Sequence, residues 1–166
     1  MKPDLIERPV DDVALRTAQI GKAGELLVQY HLLLEGIESS HMSTDAGVDL
    51  VAYSPRSKHA RTIQVKTNRK PKPSGGKGKP TLDWHIPKVS PAELVALVEL
   101  SQQKIWLFTH AEALTWAQQH PVARPDVHLY MHLETVRKRS NHERIHIDQF
   151  DEFRLHRRLS LLHGPF

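Results

Sequence analysis

Apolar residues near the start of the chain return at helical spacing. Leu15, Ala18, Leu26, Tyr30 and Leu33 mark the stripe and Gly36 follows as a stop, so the pattern predicts a long first helix over 13–35. Gly21 and Gly24 interrupt it at about 1 kcal/mol each relative to Ala, which points to close packing or to a break. Beyond Gly36 the period shortens to two. A weak strand is expected over 37–43, a stronger one over 48–53, and a third over 61–67. In the third, Ile63 and Val65 take one face while Thr62, Gln64 and Lys66 take the other. The stretch 68–80 is rich in Pro, Gly and Lys and reads as a mobile loop without a regular element, followed by a short apolar patch at 82–86. Ser90, Pro91 and Glu93 have the spacing of a helix start with a capping box, which predicts a second helix over about 90–103. An apolar strand over 104–109, a helix over 111–119, a strand over 126–133 and a last helix over 148–162 complete the pattern.

That order, helix, three strands, helix, strand, predicts an α/β fold: a mixed sheet flanked by helices, with a C-terminal extension. The core is expected over 1–119 and the extension over 120–166, packed on the same domain. With 39% hydrophobic and 25% charged residues, the 166-residue chain can bury a real core. It has no Cys, which excludes disulfides and thiolate zinc sites. A polar, acidic start and the lack of any apolar run near the ~20 residues of a membrane span give the expectation of a soluble, cytoplasmic protein.

The net charge of +4 is modest but unevenly placed. No acidic residue lies between Asp49 and Asp83, while nine of the 23 basic residues do. The other 14 face 19 acidic ones, so a basic stretch rides on an otherwise acidic chain. Such a stretch suits a polyanion, and Arg69, Lys70, Lys72, Lys77 and Lys79 are its candidate nucleic-acid contacts. A solvated lysine-rich loop would have the same composition.

Glu25 in the first helix, Asp49 on the second strand, and Gln64 and Lys66 on the third form the set that carries chemistry. Two adjacent strands and a covering helix can bring them to one point. A hard cation such as Mg²⁺ or Mn²⁺ takes oxygen ligands, and Glu25, Asp49 and Gln64 offer three. The ion acidifies water and offsets phosphate charge, and Lys66 would position that water. Singly, each has a plainer account: Glu25 paired with Lys22, Lys66 on an ordinary polar strand face, Asp45 in a turn.

With Gly24-Glu25 in the opening helix, Gly47-Val48-Asp49-Leu50 on a strand and Gln64-Val65-Lys66 on the next, the chain resembles the PD-(D/E)XK nuclease superfamily. The nearest branches are those of the Holliday junction resolvases and Mrr-like enzymes. The resemblance covers about 21–109 and implies a restriction-endonuclease-like core, DNA as partner and a metal-dependent endonuclease, often a homodimer. By the same resemblance Asp49, Gln64 and Lys66 stand for the motif's three positions, and Glu25 for the helix glutamate of the resolvase-like branches. Gln64 departs from the usual acid, which removes one charge from the site. That departure keeps open an inactive nucleic-acid-binding protein on the same fold. A metabolic or scaffolding α/β domain with a solvated basic loop is a third reading.

The 12 histidines show no chelating signature along the chain and read as scattered over the surface. Of the tryptophans, Trp106 reads as core, while Trp84, next to the basic loop, is the one placed to stack on a base.

Overall fold

The computed structural model describes residues 14–44, 46–134 and 145–164. Helix α1 (Thr17–Leu34) leads into strands β1 (Glu38–His41), β2 (Leu50–Ser54) and β3 (His59–Asn68). Then come β4 (Lys72–Pro73), β5 (Pro80–Pro87), β6 (Leu94–Glu99), β7 (Lys104–Thr109), α2 (His110–Trp116) and β8 (Asp126–His132). Five strands form the main sheet in the order β1-β2-β3-β6-β7, and three form a second, β4-β5-β8. Only the β3–β6 pair is parallel, so the main sheet is mixed and the α/β class stands.

The main sheet buries both faces. On one, Val28 and Leu32 of α1 meet Leu50, Ala52, Ile63, Val65, Leu94, Ala96 and Val98. On the other, Val95, Leu97, Trp106 and Phe108 pack against the inward residues of the second sheet, among them Leu82, Trp84 and Leu129. Trp84 is therefore core, 2% exposed and edge-on to Trp106, and is not placed to stack on a base.

The expected helix over 90–103 is a strand. Leu-Val-Ala-Leu-Val-Glu lies inside the sheet, between β3 and β7, with all six residues buried. Such a run has no polar side to offer water, and with neighbours on both faces it fills a central strand. Each fully buried Val or Leu there contributes roughly 1.5–3 kcal/mol. The groups that mimic a capping box are used otherwise. Ser90 Oγ accepts from Ala92 N at 3.2 Å. The Glu93 carboxylate accepts from Arg61 Nη1 at 2.7 Å and from Thr62 N at 3.1 Å. The crossover from β3 to its parallel neighbour thus runs through the β4–β5 hairpin, not through a helix.

Two further expectations change. Residues 68–80 do contain a regular element, the short β4 paired with the start of β5 around a tight turn. Gly75 and Gly76 take positive φ (57° and 81°) in that turn, a conformation open to glycine and costly to other residues. The last helix is two 3₁₀ segments (Ile147–Phe153 and Leu155–Arg157) and a short α3 (Ser160–His163). Arg154 is extended between the two segments and bridges to Trp106, which breaks the helix while Phe150, Phe153 and Leu155 stay buried. The first helix begins at Thr17, and the expected start at Val13 lies outside the described residues.

The two glycines of α1 differ in role. A Cβ on Gly21 would meet nothing, whereas one on Gly24 would collide with Thr67 Oγ1 and fall 2.9 Å from Thr67 Cβ. Turning Thr67 cannot relieve the clash with its own Cβ, so Gly24 sets how closely α1 lies on β3. Gly24→Ala is expected to destabilise the fold by about 1–3 kcal/mol, read as a lower urea midpoint, with Gly21→Ala neutral or stabilising as the control. Among the described residues, no helix is long and apolar enough to cross a membrane.

Candidate metal and nucleic-acid site at the strand fork

β2 and β3 part at a fork. Leu50–Ile63 is the last pair of their ladder toward that end, while β3 continues to Asn68 beside β6. From Gln64 onward the β2 side of β3 is open, and the loop before β2 runs along it. Asp49 holds this loop in place: its N donates to Ile63 O at 2.9 Å, and its Oδ2 accepts from Val65 N at 2.6 Å. The carboxylate thus substitutes for a strand carbonyl at the point where the strand ends. Gly47, at φ 82°, lets the loop pass close to Pro91 and to the Gln64 amide. Asp45 lies outside the described residues.

Gln64 and Lys66 share one face of β3. Their partners on β6, Val95 and Leu97, belong to the core cluster between the two sheets. Asp49 lies one residue before β2, and its carboxylate meets the open edge of β3 at Val65, the residue between Gln64 and Lys66. Asp49, Gln64 and Lys66 are thus neighbours along the open edge of β3. Gln64 is 6% exposed, yet its Oε1 accepts no hydrogen bond among the described residues. A buried, unsatisfied acceptor costs about 1–3 kcal/mol unless something supplies a partner. Lys66 is half-buried, and among the described residues its ammonium has no hydrogen bond or ion pair.

Glu25 reaches the fork from the other face. Its neighbour Gly24 rests on Thr67, and α1 covers the Ile63–Val65 side. Its carboxylate is engaged by Lys22 Nζ at 2.8 Å and lies 3.6 Å from His41 Nε2 at the end of β1. Glu25 and Lys66 thus flank the open edge of β3 from opposite sides, and Glu25 is held by its own helix and β1. His41 is a site neighbour that sequence reasoning passed over. It lies at the end of the weakest strand, and its only signal is its place in the β1–β2 register opposite Leu50. His41 Nε2 and Thr67 Oγ1 join Gln64 Oε1 as buried atoms without a hydrogen bond among the described residues, and all three lie around the fork.

The basic stretch follows directly on β3. Asn68, two residues beyond Lys66, donates through Nδ2 to Asp83 O at 2.9 Å and ties β3 to the second sheet. Next to it opens a cleft of about 550 Å³ lined by Asn68, Lys72, Asp83, His85, His128 and Tyr130 among others. Lys70, Lys72, Lys77 and Lys79 are exposed and Arg69 is half-buried. Lys79 lies 3.4 Å from Glu134.

No protein-family model matches the chain, and no curated protein matches it. Among solved structures it is similar to the bacterial homing endonuclease I-Ssp6803I, with a TM-score of 0.56 and 15% identity, over 89% of this chain and 94% of that one. The fold is thus of an endonuclease-like kind: the mixed five-stranded sheet with its helices belongs to an architecture that one such enzyme uses.

Proposed function

We propose that the chain is a metal-dependent DNA endonuclease of the PD-(D/E)XK type, with its centre at the β2–β3 fork. The observation that carries this reading is the Asp49 carboxylate on Val65 N, between Lys66 and the unsatisfied Gln64 Oε1, at an open strand edge. The donor set fits a hard cation: the Asp49 carboxylate and the Gln64 amide oxygen at the open edge of β3, with the Glu25 carboxylate beyond it. Asp49, Gln64 and Glu25 would hold Mg²⁺ or Mn²⁺, Glu25 by exchanging Lys22 for the ion. When bound, the ion supplies Lewis acidity and charge neutralisation at a phosphodiester. Lys66 orients the attacking water and meets the charge that develops on the phosphate. The basic hairpin and the cleft beside Asn68 track the DNA backbone.

The deciding experiment incubates the purified protein with duplex, branched and single-stranded DNA under Mg²⁺, Mn²⁺ or EDTA. Metal-dependent cleavage supports the reading, and inertness across the whole panel sinks it. The second reading, a nucleic-acid-binding protein without catalysis, is favoured by one observation: Gln64 stands where an acid would add charge, and Glu25 is already engaged. Gln64→Glu separates the two. Under the nuclease reading it strengthens Mg²⁺ affinity and lowers the Mg²⁺ concentration needed for cleavage, by about tenfold for each 1.4 kcal/mol gained. A variant as inert as the parent at every Mg²⁺ concentration would favour the binding reading.

The role of the hairpin is tested by salt. Replacing Lys70, Lys72, Lys77 and Lys79 together should lower the salt slope of duplex binding by ~0.9 for each phosphate that is no longer neutralised. An unchanged slope would return the loop to plain solubility, as the scaffold reading has it. A homodimer is proposed because α1 exposes Leu26, Tyr30, Leu33 and Leu34, each 52–65% exposed, along one stripe. Cutting two strands calls for two centres, and sedimentation velocity would show a monomer if this is wrong. A cytoplasmic location, suggested by the absence of Cys, is checked by cell fractionation.

A further inference from the structure

The second sheet has a core face and an outward face, and the outward one carries an unusual set of ligating groups. Leu82, Trp84 and Ile86 of β5 and Val127, Leu129 and Met131 of β8 point inward and are buried. Between them, Asp83, His85, Asp126 and His128 come off the opposite side. The β5–β8 register sets His85 directly across from His128, with ring centroids 3.9 Å apart. Asp83 lies two residues before His85 on the same face, with Oδ1 3.8 Å from His128 Nδ1. One ligating atom from each of Asp83, His85 and His128 falls within 4.8 Å of the other two.

The fourth residue makes the arrangement more than a chance grouping. Asp126 Oδ2 lies 2.8 Å from His85 Nδ1, which leaves Nε2 as the nitrogen free to ligate. A carboxylate behind an imidazole is what fixes the tautomer and aim of metal-binding histidines. On its other side Asp126 Oδ1 lies 3.2 Å from Arg124 Nε.

We propose that Asp83, His85 and His128 form a binding site for a divalent transition-metal ion of the Zn²⁺ class, with Asp126 as the positioning residue behind His85. Two imidazole nitrogens and one carboxylate oxygen suit Zn²⁺, Co²⁺ or Ni²⁺ and are a poor set for Mg²⁺, which takes oxygen. Three protein ligands leave a coordination position open, on the side of the cleft that Asn68, Lys72 and Tyr130 also line. Water fills such a position, and an anionic oxygen can replace it. The ion also answers an electrostatic problem. Two carboxylates stand on a face beside a lysine-rich hairpin, and a dication among them offsets their charge where a polyanion would otherwise be repelled. The site shares no residue with the β2–β3 fork, and only this electrostatic argument rests on the proposed nucleic-acid binding.

The test uses the full chain, stripped with EDTA and titrated with Zn²⁺, with Co²⁺ absorption as a second readout and Mg²⁺ as competitor. Binding of one Zn²⁺ per chain, undisturbed by excess Mg²⁺ and with visible Co²⁺ bands, is expected. His128→Ala and Asp83→Ala should each abolish it, and Asp126→Asn should weaken it about 10- to 100-fold. Asp49→Asn should leave it intact. Asp83 and His85 are exposed, so an Asp83→Ala, His85→Ala double variant should keep the parent's thermal transition without metal. No stoichiometric Zn²⁺ uptake by the parent overturns the proposal. Uptake that survives the double variant, or that is lost with Asp49→Asn and kept with His128→Ala, overturns it equally.

Discussion

Lys66→Ala is expected to lower DNA cleavage by about 10³-fold or more while leaving the protein folded. The ammonium is the cationic side chain that shares a strand face with Gln64, next to Val65, whose N–H the Asp49 carboxylate accepts. General acid–base assistance is worth about 10²–10⁴-fold. Removing one group aimed at developing charge costs about 10²–10³-fold. Lys66 performs both tasks in the proposed mechanism, so the effect falls in the upper part of these ranges. The backbone at this position stays paired with β6, so Ala at position 66 does not disturb the ladder. Duplex binding should fall little, since at most one phosphate goes unneutralised and the salt slope changes by no more than ~0.9. Lys66→Arg should not rescue: a planar, forked, more weakly hydrated cation does not replace a compact ammonium. Equal cleavage by parent and Lys66→Ala under Mg²⁺ would remove Lys66 from the mechanism and move the centre elsewhere.

What could be read from the sequence follows from which interactions are local. The strict alternation of 61–67 announced β3, and with it the shared face of Gln64 and Lys66, because period two is a property of the backbone. The strand over 104–109 was equally plain from its apolar run, although β7 lies at the edge of the main sheet and is buried through its faces, not between two strands. The segment that became β6 misled because a Ser-Pro-x-Glu start mimics a cap, whereas the strand is specified by partners on both sides. Its Glu93 is claimed by Arg61 and Thr62, some thirty residues away in sequence. The same distinction governs the sites. Asp49 could be singled out as a carboxylate in an apolar strand, but its bond to Val65 N depends on where the β2–β3 ladder ends. Glu25 was legible as a helix acid, and its approach from the opposite face was not, since that is set by the contact of Gly24 with Thr67. Asp83 and His85 are visible as an alternate pair. His128 joins them only through a register between strands more than forty residues apart, so a search for chelating spacings along the chain passes it by.

Asp49 separates structure from chemistry, because its carboxylate has a duty in each. One oxygen accepts from Val65 N at the end of the ladder, and in the proposed mechanism the negative charge holds the cation. Asp49→Asn retains an amide oxygen for Val65 N and loses the charge. Its thermal transition should stay close to the parent's, while Mg²⁺-dependent cleavage falls by about 10³-fold, the scale at which removing a charge-stabilising group acts. Binding to DNA without metal should be unchanged or tighter, since one negative charge facing the phosphates is gone. Asp49→Ala loses both duties. It leaves Val65 N without its acceptor at a mostly buried position, at a cost of about 1–3 kcal/mol, and it loses cleavage to the same extent as Asp49→Asn. The pair of variants therefore predicts equal loss of activity and unequal loss of stability. If Asp49→Asn cleaves like the parent and Asp49→Ala differs only in stability, the carboxylate is a strand cap alone, and the fork holds no catalytic metal.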